Sequence, residues 1–179
     1  MSFYLSSIHL DTTIVDSTLG LTIMKGIQQQ GDSFTARIPT DRFASLNWNT
    51  AGSVALYARD MTLIKDYGVA ERMIITDPDK LRLGRCIFVA TSEAPVEYYC
   101  LSHGCDGMSG RYYDGEVIQL SANEERTITG CKGHFLFCSL GTANSLEKDN
   151  ILIIDSDSYV VTAGAEGAII TVFHDSTND

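Results

Sequence analysis

The feature that most constrains the fold of this chain is a succession of short runs rich in β-branched and aromatic residues, separated by Gly, Asp, Asn or Ser. Runs of this length and composition predict β-strands. In the second half of the chain they cover Gly84–Ala90, Val96–Leu101, Glu116–Leu120, His134–Leu140, Asn150–Ile154, Tyr159–Ala163 and Ala168–Phe173. Between two apolar runs, Asp77-Pro78-Asp79-Lys80 predicts a turn that closes a hairpin. The pattern as a whole predicts an antiparallel meander.

The first half of the chain carries a weaker pattern. In Ile14–Gln29 and Ser53–Val69, a Gly or a polar cluster interrupts the apolar residues before a long amphipathic stripe can develop. We therefore predict strands here as well, with room for one or two helical turns. The predicted fold class is all-β, an antiparallel β-sandwich or jelly roll with short strands.

The length of the chain favours one domain. A chain of 179 residues can bury one sizeable core, and no Pro-, Gly- or Ser-rich linker divides it. We predict a single β-sandwich domain over residues 1–174, in which residues 1–30 could form an N-terminal arm. Residues 175–179 are predicted to be a flexible tail.

An internal similarity at a spacing of 34 residues suggests two related units. Placed without gaps, Val117–Ser139 aligns with Ile151–Phe173, and Gly130 and Gly133 fall on Gly164 and Gly167. The shared plan is a strand, a polar turn, a strand, a Gly-x-x-Gly turn and a third strand. Glycine suits such turns because it adopts positive φ without a Cβ clash. The alternative is that any two hairpins of an all-β domain look alike.

Charge and hydropathy exclude several classes of partner. The chain has 13 Lys and Arg against 23 Asp and Glu, a net charge of −10, and no basic patch that could neutralise phosphates. Its longest apolar runs are far shorter than the ~20 residues of a membrane helix. We therefore predict no nucleic-acid partner and no membrane. No secretory signal is recognisable at the start, so synthesis in a cytosol is expected.

The cysteines and histidines are the best candidates for a metal site. Two clusters could supply soft ligands to zinc: Cys100-x-x-His103-x-Cys105 and Cys131-x-x-His134-x-x-x-Cys138. We favour core thiols instead, because Cys131 lies in a predicted turn and need not join His134 and Cys138 on their strand face. The odd number of five cysteines suits a reducing compartment. Disulfides within the pairs Cys100/Cys105 and Cys131/Cys138 stay open as alternatives.

The segment Tyr98–Phe137 resembles a cupin, a jelly-roll family with a His-x-His pattern, a following Glu and a later His. Here His103-x-Cys105 stands at the paired histidines, no Glu follows four residues on, and His134 is the later histidine. The resemblance covers about 40 residues and lacks two of the four ligands. It therefore implies the fold more than a metal.

Other chemistry finds little support in the sequence. There is no Gly-x-Ser-x-Gly elbow, phosphate-binding loop or dinucleotide fingerprint, so we predict no enzyme activity and assign no catalytic, cofactor or metal residue. Tyr98-Tyr99, Tyr112-Tyr113 and Trp48 could stack on sugars as in a glycan-binding module. In a strand, however, adjacent tyrosines point to opposite faces, which places one ring of each pair in the core and one at the surface.

In size, composition and absence of motifs, the whole chain resembles accessory proteins of bacteriophage particles, such as capsid decoration or cement proteins and tail-surface β-sandwiches. This resemblance implies a non-enzymatic structural protein located on the virion after synthesis in the host cytoplasm. Its expected partners are itself, as a trimer or dimer, and a major capsid or tail protein. The alternatives are a glycan-binding module and a cupin-like metalloprotein, and for these the expected location is cytoplasmic.

Overall fold

The structure is a computed structural model that describes residues 9–16, 21–36, 46–58, 60–72, 86–101 and 113–175. These residues form fourteen strands: β1 (His9–Asp16), β2 (Leu21–Gln28), β3 (Ser33–Ala36), β4 (Leu46–Ala51), β5 (Val54–Ala58), β6 (Leu63–Tyr67), β7 (Cys86–Ala90), β8 (Val96–Leu101), β9 (Tyr113–Leu120), β10 (Glu125–Thr129), β11 (Phe135–Ala143), β12 (Leu146–Glu147), β13 (Ile151–Ile153) and β14 (Ser158–Asp175). All strand pairings are antiparallel, apart from one isolated parallel bridge between Asn49 and Val69.

The all-β prediction is confirmed, with no helix in the described ranges. The first-half segments around Ile14–Gln29 and Ser53–Val69 contain strands, as predicted, and no helical turn occurs in their described residues. No helix within these ranges is long and apolar enough to cross a membrane. The hairpin turn predicted at Asp77-Pro78-Asp79-Lys80 lies outside the described residues.

Contacts divide the chain into two compact units, β1–β8 and β9–β14. The first unit contains two four-stranded sheets, with strand orders β1-β2-β8-β4 and β3-β7-β5-β6. Residues 9–16 and 21–28, within the region considered as an arm, are the first two strands of one sheet. The boundaries of a single domain over residues 1–174 stay a prediction, as does the tail.

The second unit is one sheet with the order β10-β14-β11-β12, in which β9 also pairs with β14 and β13 with β11. The end of strand β9 shows the alternation that favours a strand, because Ile118 and Leu120 are buried on one face while Gln119 between them is exposed. The core of this unit includes Ile118, Leu120, Cys131, Leu136, Cys138, Ile170 and Val172. The interpretation of Cys131 and Cys138 as core thiols is therefore correct.

The internal similarity holds for only one of its two turns. Gly130 and Gly133 have φ values of 65° and 81° and form the turn between β10 and β11, as predicted. The equivalent turn predicted at Gly164 and Gly167 is wrong, because β14 runs through both glycines without reversing. Instead, the register of β14 against β11 shifts between Ala168 and Ala163, which marks a bulge.

Candidate functional site

A row of polar side chains lies on one face of the sheet β1-β2-β8-β4. Gly26 of β2 is opposite Tyr98 of β8, and Tyr98 is opposite Asn49 of β4. Gln28 lies two residues beyond Gly26 and therefore shares this face, because side chains alternate along a strand. We call Gln28, Asn49 and Tyr98 the polar row.

Gly26 provides the space that Tyr98 occupies. A Cβ atom at position 26 would lie 2.6 Å from ring carbon Cε1 of Tyr98 and would overlap its Cζ and hydroxyl oxygen. The tyrosine ring therefore lies directly across the glycine backbone of the neighbouring strand. Any other residue at position 26 would have to displace the ring.

The polar row is buried without satisfying its hydrogen-bonding groups. Asn49 is 0% exposed, Gln28 1% and Tyr98 7%. Within the described part of the chain, the Asn49 amide nitrogen and oxygen, the Gln28 Nε2 and the Tyr98 hydroxyl have no hydrogen-bond partner. Buried polar groups in folded proteins nearly always have a partner, and each one left without costs about 1–3 kcal/mol. These atoms are closed even to a water molecule, so a further group can reach their donors and acceptors only if the surrounding side chains move.

The polar row is uncharged. Burial raises the pKa of the Tyr98 hydroxyl, and a charge on Cys100, two residues along the same face, would raise it further. Tyr98 consequently stays protonated and can donate a hydrogen bond at neutral pH. Asn49 and Gln28 add neutral amides, so the row suits hydrogen bonding to a neutral group.

The opposite face of the same sheet has a different character. Trp48 and Tyr99 are both 0% exposed, and their rings stack with centroids 5.6 Å apart and an interplanar angle of 9°. The ammonium group of Lys25 lies over the Tyr99 ring, 5.6 Å from its centroid.

The prediction that one ring of Tyr98-Tyr99 lies at the surface is wrong, because both side chains are buried. Trp48 and Tyr99 therefore present no exposed platform for a sugar, and Tyr112 lies outside the described residues.

The structure does not bring together the described residues of the predicted zinc clusters. Cys131 donates from Sγ to the carbonyl oxygen of Ile128 at 3.4 Å, and Cys138 donates to that of Leu140, also at 3.4 Å. His134 stacks instead on the ring of His174 at 4.7 Å. Within the described ranges, no group of three or more His, Cys, Asp or Glu could hold a metal ion.

The rest of these candidates is only partly described. His103 and Cys105 lie outside the described residues, and so does the side chain of Cys86. Cys100, Cys131 and Cys138 form no disulfide. Burial raises the pKa of the Cys138 thiol to about 11, which suits a thiol packed in a core. The predictions of no catalytic metal and no cofactor stay predictions.

His134 and His174 form the one described pair of facing imidazoles. Burial lowers the pKa of His134, and the neighbouring His174 lowers it further. Two imidazolium charges would repel each other, so the pair favours at least one neutral ring near neutral pH. Its rings lie face to face, which does not direct two nitrogen atoms toward one metal.

Sequence reasoning assigned no site residue and missed the polar row. One local signal was present: in Asn47-Trp48-Asn49 and Tyr98-Tyr99-Cys100, polar groups occupy alternate positions on either side of an aromatic ring. A strand with this pattern places its polar groups on one face. The partnership of strands β2, β8 and β4 depends on pairing across the sheet, which no local pattern specifies.

The comparisons with solved structures show the fold. The protein YhaK from Escherichia coli is 13% identical to the chain, with a TM-score of 0.56 over 97% of each chain. YhhW from Escherichia coli is 12% identical, with a TM-score of 0.53 over 87% of this chain and 80% of YhhW. Ylba from E. coli is 9% identical, with a TM-score of 0.52 over 100% of this chain and 88% of Ylba. The structural neighbours have cupin or jelly-roll folds. No protein-family model matches the chain, and no curated protein matches its sequence.

These neighbours correct the functional prediction. The interpretation as a phage virion accessory protein is wrong, because the structures that resemble this chain are bacterial cupin-like proteins. The partial resemblance to a cupin is supported at the level of the jelly roll. A virion location has no support, and the capsid or tail partner depended on the same interpretation. The predicted dimer or trimer stays a prediction.

Proposed function

We propose that the protein is a cupin-type binding protein, and that its ligand is a small uncharged polar molecule that the polar row holds once its side chains have moved apart. The observation that carries this proposal is Asn49, whose side chain is fully buried while both of its amide atoms lack a partner within the described ranges. At 9–13% identity, the neighbours support the fold alone, so the ligand is argued from the polar row itself.

Energetics support a functional role for the row. Four buried polar atoms of Gln28, Asn49 and Tyr98 lack partners within the described part of the chain. At about 1–3 kcal/mol each, they would consume a large part of the 5–15 kcal/mol that stabilises a typical domain. A leucine at position 49 would avoid the share of this loss that the two amide atoms of Asn49 contribute. Retention of such groups is expected where a ligand completes their hydrogen bonds.

The chemistry of the row supports binding without catalysis. A general acid or base works best with a pKa near the operating pH, whereas burial moves the pKa of Tyr98 upward, away from neutrality. Asn49 and Gln28 do not titrate. The cupin-like metalloprotein remains the alternative, and elemental analysis of the purified protein distinguishes it: stoichiometric zinc, iron or nickel that survives dialysis would favour the metalloprotein.

We propose that the protein acts in the cytoplasm as a homo-oligomer. Cys131 and Cys138 are thiols without a disulfide, which suits a reducing compartment. Strand β6 is at the edge of its sheet, and Met61 and Leu63 at this edge are 57% and 49% exposed. Pairing between copies would cover such an edge. Cell fractionation tests the location, and light scattering coupled to size exclusion tests the oligomer.

The binding function is tested by a fragment screen followed in ¹H–¹⁵N spectra of the labelled protein. We expect neutral polar fragments to shift the backbone amides of Gly26, Asn49 and Tyr98, and Asn49→Leu to abolish these shifts. Thr171→Val is the matched control, since it removes a buried hydroxyl without a described partner from β14. Fragments that bind Asn49→Leu and the native protein equally would contradict the proposal.

A further inference from the structure

Within the described residues 113–175, four strands lie at the edges of the sheet. Strands β9 and β10 border it beside β14, and strands β12 and β13 border it beside β11. Edge strands present backbone N–H and C=O groups to further strands, and proteins commonly protect such edges with charged side chains. Strands β9, β10 and β12 each contain an acidic residue, whereas β13 consists of Ile151, Leu152 and Ile153. Strand β13 therefore lacks the protection that the other three edges of this sheet have.

The hydrogen bonds at the end of β13 show which of its backbone groups point outward. The N–H of Ile154 donates to the carbonyl oxygen of His134, the residue before β11, at 2.8 Å. Because bonding alternates along an antiparallel strand, Leu152 also bonds toward β11. Ile151 and Ile153 consequently direct their N–H and C=O groups away from β11, toward the outer edge.

The side chains of β13 divide between a packed and an open face. Leu152 packs against the core of the second unit. Ile151 and Ile153 share the other face, because side chains alternate along a strand. Ile151 is half-buried, and Ile153 is 49% exposed. An apolar side chain and two outward-pointing peptide groups thus occur together on one short edge.

A second copy of the chain fits this edge best in one antiparallel register. When the two-fold axis passes through Leu152, Ile151 of each copy lies opposite Ile153 of the other, and each of these two pairs exchanges two hydrogen bonds. An axis through Ile151 or Ile153 would leave one of these pairs unformed. Its partner would then be Asp149, whose φ of 66° is not extended, or Asp155, which lies beyond the strand.

We propose that two copies of this chain associate by pairing their β13 strands in this register. The four side chains of Ile151 and Ile153 then form one apolar cluster, and the two Leu152 residues lie opposite each other. This inference rests on the homo-oligomer of the proposed function and names its contact, and it is independent of ligand binding. Two such short strands form an interface below about 1,200 Å², so we expect a weak dimer, with a dissociation constant of roughly 10–100 μM.

The charges around β13 set the salt dependence of this dimer. Asp149 and Asp155 flank the strand, and the register brings the end that carries Asp149 beside the end of the second copy that carries Asp155. Each copy also has a net charge of −10. Salt screens this repulsion, whereas backbone hydrogen bonds and apolar contacts persist. We therefore expect dimerisation to strengthen between about 20 mM and about 300 mM NaCl, and a contact held by ion pairs would weaken instead.

Strand β6 of the first unit supplies a matched control. It is also at an edge, and its Leu63 is 49% exposed, as is Ile153. Its exposed Lys65 and Asp66 oppose close pairing with another strand. Leu63→Glu and Ile153→Glu change the net charge equally at equally exposed positions, so a difference between them reports the contact itself.

The test is sedimentation velocity of the full chain under reducing conditions at about 5–500 μM. We expect a monomer–dimer equilibrium that Ile153→Glu weakens at least about tenfold and Leu63→Glu leaves unchanged. The register is tested by Leu152→Cys under mild oxidation. Directly opposite residues in such a pair have Cα atoms about 4.5 Å apart, which suits a disulfide. We expect a link from position 152 to itself in a peptide map, and no link for Val160→Cys, whose native side chain is 50% exposed on β14.

Each contrary result has its own meaning. A native chain that stays monomeric at about 500 μM would overturn both the oligomer and the contact, while ligand binding would stand. A dimer that Leu63→Glu dissociates and Ile153→Glu does not would retain the oligomer and show that β13 is not its contact. A dimer that forms no link at position 152 would overturn the proposed register.

Discussion

Replacing Gly26 with alanine tests the packing that holds the polar row in place. The added Cβ would lie 2.6 Å from Cε1 of Tyr98, well inside the closest approach of two carbon atoms, so the buried ring or strand β2 must move. Overpacking of this kind destabilises a protein by about 1–3 kcal/mol. Alanine stabilises a strand interior by roughly 0.5–1 kcal/mol relative to glycine, which offsets part of this destabilisation. We expect a net loss of about 1–2 kcal/mol, or a Tm lower by roughly 2–8 °C.

Urea denaturation followed by tryptophan fluorescence measures this loss, since Trp48 lies in the same sheet. Gly68→Ala is the matched control, because a Cβ there meets only Glu71 Oε2 at an ordinary 3.6 Å, and it should stay within about 0.5 kcal/mol of the native protein. In a Tyr98→Leu background, which lacks Cζ and the hydroxyl, Gly26→Ala should lose most of its effect. A loss of the same size in both backgrounds would refute the proposed contact between Gly26 and Tyr98.

Three further predictions concern the second unit. Burial and His174 lower the folded-state pKa of His134, so the stabilising contribution of its neutral ring is fully present above the unfolded pKa of about 6.5 and is lost as the pH falls below that value. We therefore expect the urea concentration at the unfolding midpoint to be lower at about pH 5 than at about pH 7.5. A decrease of the same size in His134→Gln would contradict this origin. Gly141→Ala should lower the free energy of unfolding by more than the roughly 1–2 kcal/mol that a left-handed backbone costs a residue with a Cβ, since the added Cβ would also overlap a carbonyl oxygen of β14. Gly133 also has a positive φ, but a Cβ there would meet nothing within 4 Å, so Gly133→Ala should cost only the backbone term. Equal losses in urea denaturation would be inconsistent with the overlap. Cys138, with a buried thiol of pKa about 11, should resist alkylation at about pH 8 until the protein unfolds, and its rapid labelling in a peptide map of native protein would disprove its burial.

The strands were predictable where local composition and the final pairing agree. Val96–Leu101 was predicted with the bounds that the structure has, and the predicted Glu116–Leu120 is the last part of the observed Tyr113–Leu120. The prediction failed at Gly164 and Gly167, where the two glycines suggested a reversal. There, β14 pairs with β10 before the glycines and with β9 after them, and it pairs with β11 on both sides, so the strand keeps its direction across a bulge in which Gly167 has a φ of 81°.

The candidate site was less predictable than the fold. Cysteine and histidine spacing directed attention to Cys131, His134 and Cys138, but their side chains contact different partners. The polar row unites positions 28, 49 and 98, which are far apart in the sequence and become neighbours only through the register of β2, β8 and β4. The burial of neutral amides without partners is a property of the three-dimensional structure. Composition carries no trace of it.

The central claim is that Asn49 is retained for binding and not for stability, and the unfolding free energy of Asn49→Leu tests it most directly. Native and variant proteins are unfolded and refolded to remove any bound molecule, and each is then titrated with urea. Leucine has the same branching and number of side-chain heavy atoms as asparagine and needs no hydrogen bond, so the account predicts that the variant is more stable than the native protein, by about 1–3 kcal/mol for each of the two amide atoms that it removes. A variant less stable by a similar amount would show that the Asn49 amide is satisfied within the folded chain, and would contradict the account.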